Sequence, residues 1–154
     1  MNITINKTKI IDGVEIRDLS KIENEKGSIL HIIKSTDPYF TNFGECYVSE
    51  VNPGKIKAWK KNSIQTQNLT VVQGNVKFVV YDDRDKSKTK NQLNVFEINK
   101  DTNYQLLTIP PNIWYGFCCL GKLKSLIINC SDHPHNSKNT TSLDIKNNLI
   151  PFEW

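Results

Sequence analysis

Lys60, Asn62, Gln67 and Tyr115 are the residues of this chain whose types and spacing suit chemistry at a single site. Lys60 follows Gly54 after five residues and Asn62 lies two further on. Gln67 follows after four more residues and Gly74 after another six. Tyr115 closes a second short motif that starts at Pro110 and passes through Asn112. An ammonium, two carboxamides and a phenol do not hold a transition metal, because the first is a cation and the amides are poor ligands. No metal and no other cofactor is expected. The set suits proton chemistry instead. A buried lysine loses basicity through desolvation and becomes a base near neutral pH, whereas a charged one steadies an enolate or a phosphate. The structural alternative is a strand lysine whose stem packs while its head reaches water. Tyr115 offers a hydroxyl that donates a proton or binds a ketone, and Asn62 and Gln67 offer hydrogen bonds to ligand hydroxyls.

The elements that must position these groups read as strands. Residues 45–51 alternate and end at Asn52, Pro53 and Gly54, a strong turn signal. In residues 55–60, Ile56 and Ala58 are expected on one face and Lys55, Lys57 and Trp59 on the other. Residues 68–72 and 76–81 flank Gln73, Gly74 and Asn75, which reads as a hairpin turn. Runs at 29–33, 93–98, 104–109, 113–117 and 125–129 complete a series of short strands with frequent turns, the pattern of a sandwich or closed barrel. Residues 13–22 are the one place with room for a turn or two of helix. Pro151, Phe152 and Trp154 suggest a tail packed on the body. Trp114 and Tyr115 are neighbours, so only one of them faces the interior.

A length of 154 residues fits one domain, spanning 1–154, with a sizeable core. Hydrophobic residues make up 38% and charged residues 23%, which excludes a disordered chain. Residues 1–7 carry no apolar leader and no run is long enough to span a bilayer, so the cytoplasm is the expected compartment and no membrane insertion is expected. Cys46, Cys118, Cys119 and Cys130 form no Cys-x-x-Cys pair and read as small buried residues. The net charge of +4 is mild and dispersed. The basic residues between Arg84 and Lys90 lack interleaved aromatics, so no nucleic acid is expected as a partner. An anionic small ligand suits this charge. His133 and His135 are the one paired histidine element, weak as a metal site, with His133 available as a general acid at a barrel mouth.

The spacing of the two motifs resembles that of the cupins. Beyond it, Gly27-Ser28, the segment 47–54, Lys57-Ala58-Trp59, Gln65-Thr66, Tyr81 to Arg84, Pro110-Pro111 with Trp114 to Phe117, and 150–154 together resemble the dTDP-4-dehydrorhamnose 3,5-epimerase family. The resemblance runs from about residue 23 to the C-terminus. It implies an all-β cupin-type jelly-roll barrel of antiparallel strands, a homodimer, and metal-independent enolate chemistry on a nucleoside-diphosphate 4-keto-6-deoxy sugar in cell-surface polysaccharide synthesis. By position, the family's histidine base falls on Lys60, its arginine on Lys57, its enolate-stabilising lysine on Gln67 and its tyrosine acid near His133. Its orienting aspartate falls on or near Asn147, and its histidine before Gly-Phe falls on Tyr115. Lys60, Tyr115 and His133 are thus the expected catalytic groups. Lys26, Lys57, Asn62, Gln67, Trp59, Arg84 and Asn147 are the expected substrate-binding groups, although Arg84 beside Asp82 and Asp83 also reads as a structural ion pair. A cupin that binds a sugar nucleotide without turning it over, or serves as a partner subunit, is the alternative.

Overall fold

The structure is a computed structural model that describes residues 9–154, so the leader reading of residues 1–7 lies outside the described residues. The described residues form twelve strands: β1 (Glu15–Asp18), β2 (Lys21–Asn24), β3 (Gly27–Leu30), β4 (Glu45–Val51), β5 (Ile56–Asn62), β6 (Gln67–Gln73), β7 (Asn75–Tyr81), β8 (Leu93–Asn99), β9 (Gln105–Ile109), β10 (Trp114–Cys119), β11 (Ser125–Ser131) and β12 (Thr140–Ser142). Two five-stranded antiparallel sheets face each other, in the orders β1-β9-β6-β11-β4 and β12-β5-β10-β7-β8. This is the all-β cupin-type architecture. β2 and β3 form a separate hairpin. Among the described residues no helix is long and apolar enough to cross a membrane.

Period-two alternation builds two apolar layers. Val51, Leu69, Val71, Val76, Phe78, Val80, Leu107, Ile109, Tyr115, Phe117 and Ile127 meet between the sheets. Trp59, Val79, Tyr81, Trp114 and Ile150 form a second cluster on the outer face of the β5-β10-β7 sheet. Phe152 and Trp154 close over it, so the tail packs on the body. Gly116 lies under that tail: a Cβ there would come within 2.5 Å of the Ala58 Cβ and 2.8 Å of the Trp154 ring.

Three local expectations are corrected. Residues 13–22 form β1 and β2 rather than helix, because β1 finds a hydrogen-bonding edge on β9. The turn at Gly74 (φ 81°) is no hairpin. It carries the chain from one sheet to the other, since β6 pairs with β9 and β11 while β7 pairs with β8 and β10. The faces of β5 do not alternate throughout, because the register against β10 shifts between Tyr115 and Phe117. Tyr115 pairs with Lys60 and Phe117 with Lys57, which leaves Ala58 and Trp59 opposite Gly116, two residues against one. Lys57 and Lys60 therefore share the inner face while Trp59 turns outward.

Candidate functional site

A cavity of about 390 Å³ opens between the sheets, walled by Tyr47 and Ser49 from β4, Lys57, Ala58 and Lys60 from β5, Leu69 from β6, and Tyr115 and Phe117 from β10. The bulge is what brings two lysines three residues apart to one wall. The Lys57 ammonium donates to the Ser49 hydroxyl at 3.0 Å, bridging the two sheets. Lys60 is exposed within the same wall, so a ligand entering the cavity can reach its head. Its neighbour Lys61 faces the other way, held by Asp83 at 2.8 Å and lying 4.6 Å from the Trp114 ring centroid. Tyr115 is the buried partner of Lys60 across the strand pair. Burial, with the Tyr47 phenol adding to it, pushes the Tyr115 hydroxyl well above the ordinary 10.0, so it remains a proton donor throughout the neutral range.

A chain of buried carboxamides continues the interior from this wall. Asn62 Nδ2 donates to Gln65 Oε1 at 2.6 Å and to Thr140 Oγ1 at 3.2 Å. Gln67 Nε2 reaches the same Gln65 oxygen at 3.5 Å. Asn129 Nδ2 donates to Gln67 Oε1 and, at 2.9 Å, to the Tyr47 hydroxyl. Gln65 Nε2 donates to the His133 carbonyl at 2.6 Å. Each amide is satisfied by a partner, as burial demands. Among the described residues no cluster of three metal-ligating side chains forms.

The structure brings Lys57, Lys60 and Tyr115 together in the cavity wall, with Asn62 and Gln67 in the adjoining amide chain. The other expected residues stand elsewhere. Trp59 is buried on the outer face, 5.1 Å from Trp154 and 6.2 Å from Phe152 between ring centroids. Arg84 takes the ion-pair reading. It holds Asp82 through Nε and Nη2 at 2.9 Å and donates from Nη2 to the Asp12 carbonyl at 2.7 Å, so these two nitrogens are committed to the loop. Asn147 caps a turn in the tail, accepting from the backbone of Leu149 and Ile150. Lys26 stands exposed at the tip of the β2-β3 hairpin. His133 is half-exposed and pairs through Nδ1 with Asp132 Oδ1 at 3.0 Å, but it does not line the cavity. Cys46 is exposed and Cys118 and Cys130 are half-buried, so only Cys119 is the buried residue expected. Cys46 and Cys130 face each other at 3.1 Å across β4 and β11.

Sequence reasoning missed Tyr47, Ser49, Gln65 and Asn129 as site residues. The alternation of β4 carried a signal for the first two, since Tyr47, Ser49 and the core residue Val51 share a face. Asn129 carried none, because its importance lies in its contacts across to β4 and β6.

The model of the dTDP-4-dehydrorhamnose 3,5-epimerase family matches residues 11–154. A crystal structure of a dTDP sugar isomerase from Desulfovibrio desulfuricans G20 superposes with a TM-score of 0.92 at 39% identity, covering 94% of this chain and 92% of that one. The probable low-salt glycan biosynthesis epimerase Agl13 of Haloferax volcanii is 32% identical over 121 residues, 77% of either chain. The spore coat polysaccharide biosynthesis protein SpsL of Bacillus subtilis is 29% identical over 147 residues, 94% of this chain and 97% of that protein.

Proposed function

The chain belongs to the dTDP-4-dehydrorhamnose 3,5-epimerase family, and from that premise we propose that it epimerises a nucleoside-diphosphate 4-keto-6-deoxy sugar for polysaccharide biosynthesis. The observation that carries this reading is the cavity in which Lys57, Lys60 and Tyr115 converge from β5 and β10. A hydrogen next to a ketone is acidic because the electron pair it leaves delocalises onto the carbonyl oxygen as an enolate. A base on one face and an acid on the other then invert the carbon. Lys60 is the base: it lines the cavity and makes no side-chain hydrogen bond to another described residue, whereas Lys57 is engaged by Ser49. Tyr115, kept protonated by its burial, returns the proton. Lys57 supplies positive charge for the diphosphate. Asn62 and Gln67 lie deeper and hold the wall rather than the sugar.

The same reading places the protein in the cytoplasm as a homodimer. Titration calorimetry with dTDP tests the substrate class: binding is expected, and Lys57→Ala is expected to weaken it by about 1–2 kcal/mol. No heat of binding from dTDP or from dTDP-4-keto-6-deoxyglucose would overturn it. The proton NMR spectrum of the product tests the reaction, since an inverted carbon beside the ketone changes the ring coupling constants.

A further inference from the structure

We propose that Tyr47 is the hydrogen-bond donor that steadies the enolate oxygen, oriented for that task by Asn129 and the amide chain behind it. This deepens the function proposed above and rests on it. The argument is one of proton bookkeeping. Asn129 Oδ1 accepts from the Asn68 backbone N–H at 3.1 Å, and a backbone N–H only donates. The Asn129 amide is thereby fixed, with its two N–H groups toward Gln67 Oε1 and the Tyr47 hydroxyl oxygen. The far end of the chain is fixed in the same way. Asn62 Oδ1 accepts from the backbone of Ile64 and Gln65 at 3.0 and 2.9 Å, and Gln65 Nε2 donates to the His133 carbonyl. The direction of each hydrogen bond between these anchors is thereby set.

Tyr47 therefore receives a hydrogen bond and keeps its own O–H uncommitted, in the wall of the cavity. It is 44% exposed, so a ligand can reach it. Accepting at its oxygen polarises its O–H and makes it a stronger donor. It projects from β4, the wall opposite the β5 and β10 residues Lys60 and Tyr115. The other donor near the mouth, the Lys57 ammonium, spends one proton on Ser49. In the reaction, the carbon–hydrogen bond beside the ketone breaks and its proton passes to the Lys60 amine. Its electron pair forms the carbon–carbon double bond as the carbonyl π pair moves to oxygen. Tyr47 donates a hydrogen bond to that oxygen and keeps its proton.

The test is the rate of hydrogen-for-deuterium exchange beside the ketone of dTDP-4-keto-6-deoxyglucose in deuterated water, at saturating substrate. Tyr47→Phe is expected to slow exchange by about 10²–10³-fold, the loss typical of one oxyanion donor, with dTDP affinity within about twofold of wild type. Tyr47→Gln keeps a donor and an acceptor for Asn129, and is expected to recover part of that loss. Wild-type exchange rates in Y47F would overturn the role of Tyr47 and leave the epimerase reading standing, as would a Y47Q no faster than Y47F with dTDP affinity intact in both. An absence of exchange in the wild-type protein itself would overturn both.

Discussion

Lys60 and Lys61 are adjacent and do opposite work. Lys61 is spent on Asp83 and the Trp114 ring outside the barrel, while Lys60 stands in the cavity wall beside Tyr115. Arg84 shows how a charged residue can look functional in sequence and prove structural. Burial alone would raise the Asp82 carboxyl, but hydrogen bonds from Arg84, Ser87 and Thr89 outweigh it and hold it well below the ordinary 3.8. The folded state thus binds the proton less readily than the unfolded one. This contribution is fully present above pH 3.8 and is lost as pH falls below it. Arg84→Ala leaves a fully buried carboxylate without its cation and should cost about 3 kcal/mol in urea unfolding at pH 7. The gap between variant and wild type should narrow below pH 3.8. An unchanged midpoint at pH 7 would mean that Ser87 and Thr89 alone carry Asp82.

Strand existence was largely legible, because alternation and turn residues are local signals. β4 coincides with the alternating segment 45–51, and β7, β8, β10 and β11 fall within a residue or two of the runs that announced them. What failed was non-local. Nothing in Gln73-Gly74-Asn75 distinguishes a hairpin from a crossover, since the difference lies in which strands accept β6 and β7. The faces of β5 were misassigned because the bulge is set by the partner strand, at Gly116, more than fifty residues away in sequence. That one irregularity decides the site: without it Lys57 and Lys60 would point to opposite faces and Trp59 would share the face of Lys57. Gly116→Ala tests its packing. The added methyl meets the Ala58 Cβ and the Trp154 ring, and should destabilise the fold by about 1–3 kcal/mol with loss of Trp154 burial in fluorescence. Unfolding at the wild-type denaturant concentration would show that the bulge and tail accommodate it.

At the scale of the molecule, the family was legible and the residue roles only in part. The two motif spacings are carried by turns and barrel geometry, which this chain keeps. The roles are carried by side chains that differ at most ligand and acid-base positions, and what we propose in their place, Tyr47 with Asn129, comes together only where β4, β6 and β11 meet. The β2-β3 hairpin is where the proposed homodimer would seat its second copy. Ile22 and Ile29 pair across it, yet they are 52% and 61% exposed, and a two-stranded hairpin alone is marginal in water. Light scattering after gel filtration should give twice the 17.7 kDa of one chain, and Ile29→Lys should shift it toward the monomer. A monomer for the unaltered protein would refute the homodimer. The most direct test of the central claim is deuterium incorporation at the carbons flanking the ketone of dTDP-4-keto-6-deoxyglucose, followed by NMR with Lys60→Ala and Tyr115→Phe beside the wild type. Incorporation by the wild-type protein that Lys60→Ala abolishes, with inversion lost in Tyr115→Phe, is the predicted result. Bound nucleotide sugar with no incorporation would contradict it and leave a binding protein built on an epimerase barrel.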